Sequence, residues 1–231
     1  MEDNFVAGRP AWETGGAIFW SEVAAYEQLK LRLLNGTHSL IAYLGALAGS
    51  STIPEAVSVD FIQPAARAVL QTEYLPSVRV PTGVDIAEYE GQLFIRWRNT
   101  ALSHRTSRVG SDGSVKLPER VCDPAVQRLD GGTMPHHLAL TVAVYICCIA
   151  PLNGFDPGAD ARAMRDAARP CLAAFAVRSR GGADLTRRIF AEGGVFQDEL
   201  AERQGFVERV GEFIDTITTS GARSAAESAR Q

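Results

Sequence analysis

Apolar residues recur along this chain at mixed three- and four-residue steps, and no stretch alternates residue by residue. That spacing predicts helices throughout and no strands. Over residues 17–34, Ile18, Trp20, Val23, Ala24, Leu31 and Leu34 form the first apolar stripe, and Asn35-Gly36 can stop or kink the helix. A helix resuming at Thr37 carries small residues about a turn apart, Ala42, Gly45, Ala46 and Gly49. These permit close packing and predict a central helix. Ser51 or Thr52 can cap the next helical stretch, 54–75, which Pro64 would bend. Asp85 can cap a helix over 85–99, with Glu88 at capping-box spacing and a stripe of Ile86, Tyr89, Leu93, Phe94 and Trp97.

Residues 100–120 are less periodic, with a turn predicted at Asp112-Gly113. Helices follow over 122–129, over 138–150 after Pro135, and over 161–177 with an interruption at Pro170. A last pair covers 183–190 and 196–219, separated from the preceding helix by Gly181-Gly182. The Ala/Ser/Arg-rich end reads as a frayed tail over 221–231. Residues 1–16, rich in Gly and Pro, read as a connector entering a helical domain of 17–220, which suggests a domain upstream of it.

Composition narrows the class. The 231 residues are 46% hydrophobic and carry 23 Lys and Arg against 27 Asp and Glu, a formal charge of -4. Such a balance gives no electrostatic case for nucleic acid or for an anionic membrane. The longest apolar run, Leu138 to Leu152, is shorter than the roughly 20 residues that span a bilayer. Cys122, Cys147, Cys148 and Cys171 form no C-x-x-C pair and are expected to be free, buried thiols of a cytoplasmic protein. Neither a G-x-G-x-x-G after an apolar strand nor a G-x-x-x-x-G-K-[ST] occurs, so no dinucleotide site is expected within this chain.

Candidate chemistry gathers between Tyr26 and Ser39. Lys30, Asn35 and His38 follow one another among leucines at steps of five and three. A lysine buried among leucines has its ammonium form disfavoured and can act as a proton acceptor near neutral pH. On an ideal α-helix, Asn35 and His38 would lie about 140° and about 80° around the axis from Lys30. A second polar segment carries His104, Arg105, Arg108 and Lys116, side chains that hydrogen-bond hydroxyls and carboxylates. Each residue also has a plainer reading. Lys30 can be a surface lysine lying along apolar surface, Asn35 a helix cap, His38 a core histidine, and the basic residues a solvated face. His136-His137 resembles a metal pair, but neighbouring residues diverge, so a helix start is the better reading. Cys147-Cys148 reads as core.

Taken together, Lys30-x4-Asn35-x2-His38, Arg96-x2-Asn99, His104-Arg105-Thr106 and Asp112-Gly113-Ser114-x-Lys116-Leu117-Pro118-Glu119-Arg120 resemble the mannitol dehydrogenase family of long-chain polyol dehydrogenases. Glu2-Asp3-Asn4-Phe5 through Gly8-Arg9-Pro10-Ala11-Trp12-Glu13 and Gly194-Val195-Phe196 fit the same pattern, so the likeness runs over nearly the whole chain. Thr100 stands where a proline is usual, and 154–172 diverges.

The resemblance implies the multi-helical C-terminal domain of 6-phosphogluconate-dehydrogenase-like enzymes, preceded in the family by an NAD-binding Rossmann domain that this chain lacks. It implies metal-independent hydride transfer between NAD and a polyol or sugar acid, such as mannitol and fructose or mannonate and fructuronate. Lys30 would be the general acid/base, Asn35 the donor to the developing oxyanion, and His38 a ligand of a neighbouring hydroxyl. Arg108 and Lys116, with His104 and Arg105 as weaker candidates, would hold the far end of the substrate. The isolated chain would be inactive without a Rossmann partner. The alternatives are a non-catalytic helical sugar-binding or interaction module, or a truncated gene product.

Overall fold

The computed structural model describes residues 4–17, 19 and 23–230. Ile18 and Trp20, assigned above to the first stripe, lie outside the described residues. After a 3-10 turn at Trp12–Gly15, the helix α1 (Val23–Leu29) runs without a break through a π-helical turn, Lys30–Gly36, into α2 (Thr37–Leu47). Next come α3 (Ile53–Ser58), α4 (Ile62–Ala68), a second π turn at Val69–Tyr74, and α5 (Ile86–Arg98). Two short helices, α6 (Thr106–Gly110) and α7 (Gly113–Leu117), lead into a third π turn at Pro118–Cys122 and α8 (Asp123–Asp130). The remainder is α9 (His136–Ile149), α10 (Ala159–Arg162), α11 (Arg169–Arg178), α12 (Gly182–Glu192), α13 (Asp198–Ala201) and α14 (Gln204–Ser228). Among the described residues there is no strand, only an isolated bridge between Thr52 and Arg105.

The core is built on α9, apolar all round and buried from His137 to Ile149, as a helix surrounded by others must be. It packs against α14 on one side and α2 on the other. α2 is buried from Ser39 to Ala46 and bears Ala42, Gly45 and Ala46, whereas Gly49 lies exposed beyond its end at a positive φ. Gly45 shows why they are small: a Cβ there would lie 2.5 Å from the Ala56 side chain. The helix α3 could not approach otherwise.

The first turn of α9 leaves N–H groups without intrahelical partners, and Glu73 on the second π turn supplies them. One carboxylate oxygen accepts from the His137 N–H at 2.7 Å and lies 2.9 Å from its ring Nδ1; the other accepts from the Leu138 N–H at 2.7 Å. The buried carboxylate thus sits at the positive end of the helix dipole. His136-His137 does mark a helix start.

Several expectations are corrected. Of the stop or kink read at Asn35-Gly36, the stop is absent, because a π turn carries the helix through both residues. The stripe also falls in another register: Leu29 and Leu33 are the fully buried leucines, Leu31 and Leu34 only half-buried, and Ala24 exposed. The stretches read over 54–75 and 161–177 are each divided, at 59–61 and at 163–168, and Pro64 and Pro170 sit in the first turn of the helix that follows the gap, where a missing N–H costs no bond. Thr52 forms a full capping box with Glu55, whereas Asp85 caps with its own side chain alone. Cys171 is exposed; the other three thiols are buried.

The frayed tail is also corrected. After a non-helical Gly221, helix continues to Ser228, with Ala222, Ala225 and Ala226 buried. Arg223 pairs with Asp60 at 2.6 Å and lies over the Phe61 ring.

Candidate active site

The three π turns pack together, with Lys30–Gly36 in contact with both others. A π turn closes i→i+5 bonds and carries one residue more than an α turn. Residues five apart therefore stack on one face, and Lys30 and Asn35 are such a pair. On an α-helix they would point about 140° apart; here both line one open groove of about 430 Å³ together with Glu27, Leu31, Glu119 and Asp123. Gly36 closes the turn, because a Cβ there would overlap the ring of Tyr74.

Two arginines hold this turn in place. Arg32 is buried and donates to the Ser77 carbonyl and, at 2.9 Å, to Gln127 Oε1. Arg120, on the third π turn, donates to Ser39 Oγ at 2.8 Å and to the main-chain oxygen of Asn35 at 3.3 Å. Ser39 Oγ in turn donates to that same oxygen at 3.1 Å. Burial lowers the pKa of both guanidinium groups, against the favourable fields of Asp123 on Arg32 and of Tyr43 and Tyr74 on Arg120.

Lys30 is exposed, which corrects the expectation of a lysine buried among leucines: Leu29 and Leu33 turn inward while Lys30 faces the groove. His38 does not line that groove. It lines a narrow cavity of about 40 Å³ with Leu34, Arg96, Trp97, Asn99 and His104. Its ring centroid lies 6.1 Å from that of Trp97 and 6.3 Å from that of His104. Its pKa is pushed down to about 4, first by burial and then by His104, Arg120, Arg96 and Lys116. The imidazole is therefore neutral at physiological pH, with one nitrogen a donor and the other an acceptor.

The remaining candidates divide. Lys116 is half-buried and donates to the Ser111 carbonyl at 2.6 Å, with Asp112 at 4.0 Å. Burial and the nearby Arg120 lower its pKa. Arg108 is exposed on α6 and lines neither cavity. His104 is exposed at the mouth of the narrow cavity. Arg105 is exposed and faces Asp160 at 3.8 Å.

Lys30 and Asn35 thus share one groove, and His38 and His104 share another cavity. Arg120 links them, bonding the Asn35 main chain and placing its charge near His38 and Lys116. Sequence reading passed over Arg120 as a site residue. Its place four after Lys116, a helical neighbour spacing, was the available signal. Trp97 was read only as part of an apolar stripe.

Residues 22–218 match the mannitol dehydrogenase C-terminal domain family. The chain belongs to this family. It is 38% identical over 225 residues to the D-mannonate oxidoreductase of Escherichia coli (strain K12), covering 96% of this chain and 45% of that protein. With mannitol dehydrogenase 2 of Saccharomyces cerevisiae the identity is 33% over 225 residues, 96% of this chain and 43% of the relative. Among solved structures, the mannitol 2-dehydrogenase of Pseudomonas fluorescens, in a ternary complex with NAD and D-mannitol, superposes with a TM-score of 0.85. That match is 26% identical and covers 98% of this chain and 45% of the other. The helical fold and the resemblance inferred from the motifs both hold. As a mannitol dehydrogenase C-terminal domain, the chain spans less than half the length of these relatives.

Proposed function

We propose that this chain is the substrate-binding and proton-transferring part of a cytoplasmic, NAD-dependent dehydrogenase that interconverts a polyol or sugar acid and its ketose. The observation that carries the reading is the π turn that brings Lys30 and Asn35 over one groove. The described residues offer no strand–turn–helix unit to cradle a dinucleotide, so the chain by itself does not fit the cofactor, which a Rossmann domain would hold. A nicotinamide cofactor held there would supply the acceptor for the hydride of the carbinol carbon. Lys30 Nζ takes the hydroxyl proton and, in the reverse direction, returns it to the alkoxide oxygen. The Asn35 amide donates to that oxygen as its charge develops. Neutral His38 binds a neighbouring hydroxyl, and Lys116 and Arg108 receive the far end of the substrate, a carboxylate in the case of a uronate.

Lys30 can accept a proton only where its ammonium form is disfavoured. In this chain the groove stands open to solvent, with Lys30 exposed in it. A domain docked over it would exclude water and disfavour the ammonium, and this is why the isolated chain should be inactive. The test mixes the purified chain with a Rossmann domain taken from a relative, then adds NADH and fructose or fructuronate. Turnover should require both parts and should fall by roughly 10²- to 10⁴-fold in Lys30→Ala, the usual contribution of a general acid/base. Full turnover by the chain alone would overturn the need for a partner, and an unchanged rate in Lys30→Ala would remove Lys30 from its role.

The exposure of Lys30 also favours a second reading, a sugar-binding module without catalysis. Calorimetry with mannitol and with mannonate, cofactor absent, separates the two. Tight binding by the chain alone supports the module.

A further inference from the structure

Two buried polar atoms face each other's cavity without a partner among the described residues: His38 Nε2 and Trp97 Nε1. Leaving a buried donor or acceptor unpaired costs about 1–3 kcal/mol, so two at one place call for an explanation. Both side chains line the same cavity, and its volume of about 40 Å³ suits one water molecule. Arg96 and Asn99 at its rim can supply the further polar partners that a held water needs.

The chemistry of the lining fixes the arrangement. The Trp97 indole N–H and the Arg96 guanidinium can only donate, so a water held between them accepts twice and has both lone pairs taken. That water then has only hydrogens to give, and His38 Nε2 can take one only as an unprotonated acceptor. We infer that Trp97 is a positioning residue for His38: through one buried water it holds Nε2 as acceptor and thereby keeps the imidazole hydrogen on Nδ1. His38 then enters any reaction as a single-donor ligand of known tautomer, able to donate from Nδ1 to a substrate oxygen. The low pKa of His38, pushed down to about 4, keeps the ring in the neutral state for which a tautomer is defined.

The consequence for substrate binding rests on the reading of His38 as a hydroxyl ligand; the tautomer itself does not. It is tested on the full, isotope-labelled chain by a long-range proton–nitrogen correlation spectrum at neutral pH, which distinguishes protonated from unprotonated ring nitrogens. His38 Nε2 should show the shift of an unprotonated nitrogen and Nδ1 that of a protonated one. The Trp97 indole proton should exchange slowly and show a cross-peak to water. In Trp97→Phe, with folding checked by circular dichroism, the His38 shifts should move toward a mixture of tautomers. A protonated Nε2 in the unaltered chain would overturn the inference, and so would an unchanged tautomer in a folded Trp97→Phe. Should Trp97→Phe not fold, the spectrum of the unaltered chain decides alone. Loss of the catalytic reading would leave these spectra as expected, so the two fail separately.

Discussion

Two π turns in this domain use the same backbone device to opposite ends. Lys30–Gly36 buries Arg32 but sets its other two polar side chains, Lys30 and Asn35, over an open groove. Val69–Tyr74 turns its carboxylate inward, where Glu73 is spent on the first turn of α9. The extra residue in each turn re-aims one side chain without ending the helix. What differs is the surroundings. Glu73 meets N–H donors of a buried helix and becomes part of the scaffold. Lys30 meets solvent and stays available. A polar residue that the fold leaves without a structural task is the better candidate for chemistry.

The comparison can be broken from either side. The largest effect expected is on activity: Lys30→Ala, assayed with a completing Rossmann domain, should lose roughly 10²- to 10⁴-fold in turnover while its urea midpoint stays that of the unaltered chain. Glu73→Ala should do the reverse, destabilising the domain by about 3 kcal/mol in urea unfolding, because two backbone donors and the His137 ring lose a charged partner. Gly36→Ala tests the seam between the two turns. Its methyl group would overlap the buried Tyr74 ring, and a cost of about 1–3 kcal/mol is expected from overpacking.

A smaller effect concerns pH. His38 has its pKa lowered from 6.5 to about 4 in the folded chain. The unfolded chain therefore binds the proton first as pH falls, and stability conferred by the neutral ring is complete above pH 6.5 and is lost as pH drops toward about 4. Urea unfolding across that window should show a steeper loss for the unaltered chain than for His38→Asn. The smallest change is expected for Arg223→Ala, which removes an exposed ion pair with Asp60. The loss in urea midpoint there should be small, and smaller again at high salt.

Much of this was legible in the sequence, for identifiable reasons. The all-helical class followed from local periodicity, and the caps at Thr52 and Asp85 from residues close to the bonds they make. The central place of α2 followed from small residues a turn apart. Distant partners were not legible. Glu73 meets a helix that begins more than 60 residues later, and nothing in its neighbourhood marks it as a cap. The burial of Lys30 was misjudged because flanking leucines show only that some face is apolar. Which face is buried depends on the π turn, and the packing of that turn against two others is a tertiary outcome. The interest of Lys30, Asn35 and His38 was visible from spacing, but their division between a groove and a separate cavity was not.

The pairing of Arg223 with Asp60 spans 163 residues. The last helix thus closes against the turn between α3 and α4, while its middle lies along α9. During synthesis those surfaces stay uncovered until nearly all of the domain has left the ribosome. Contacts of such sequence separation form late, after the local helices, since their loop-closure entropy must first be met. The domain should therefore complete its core only once its last helix has emerged rather than piece by piece, and it is in that interval that its apolar α9 needs protection from other chains.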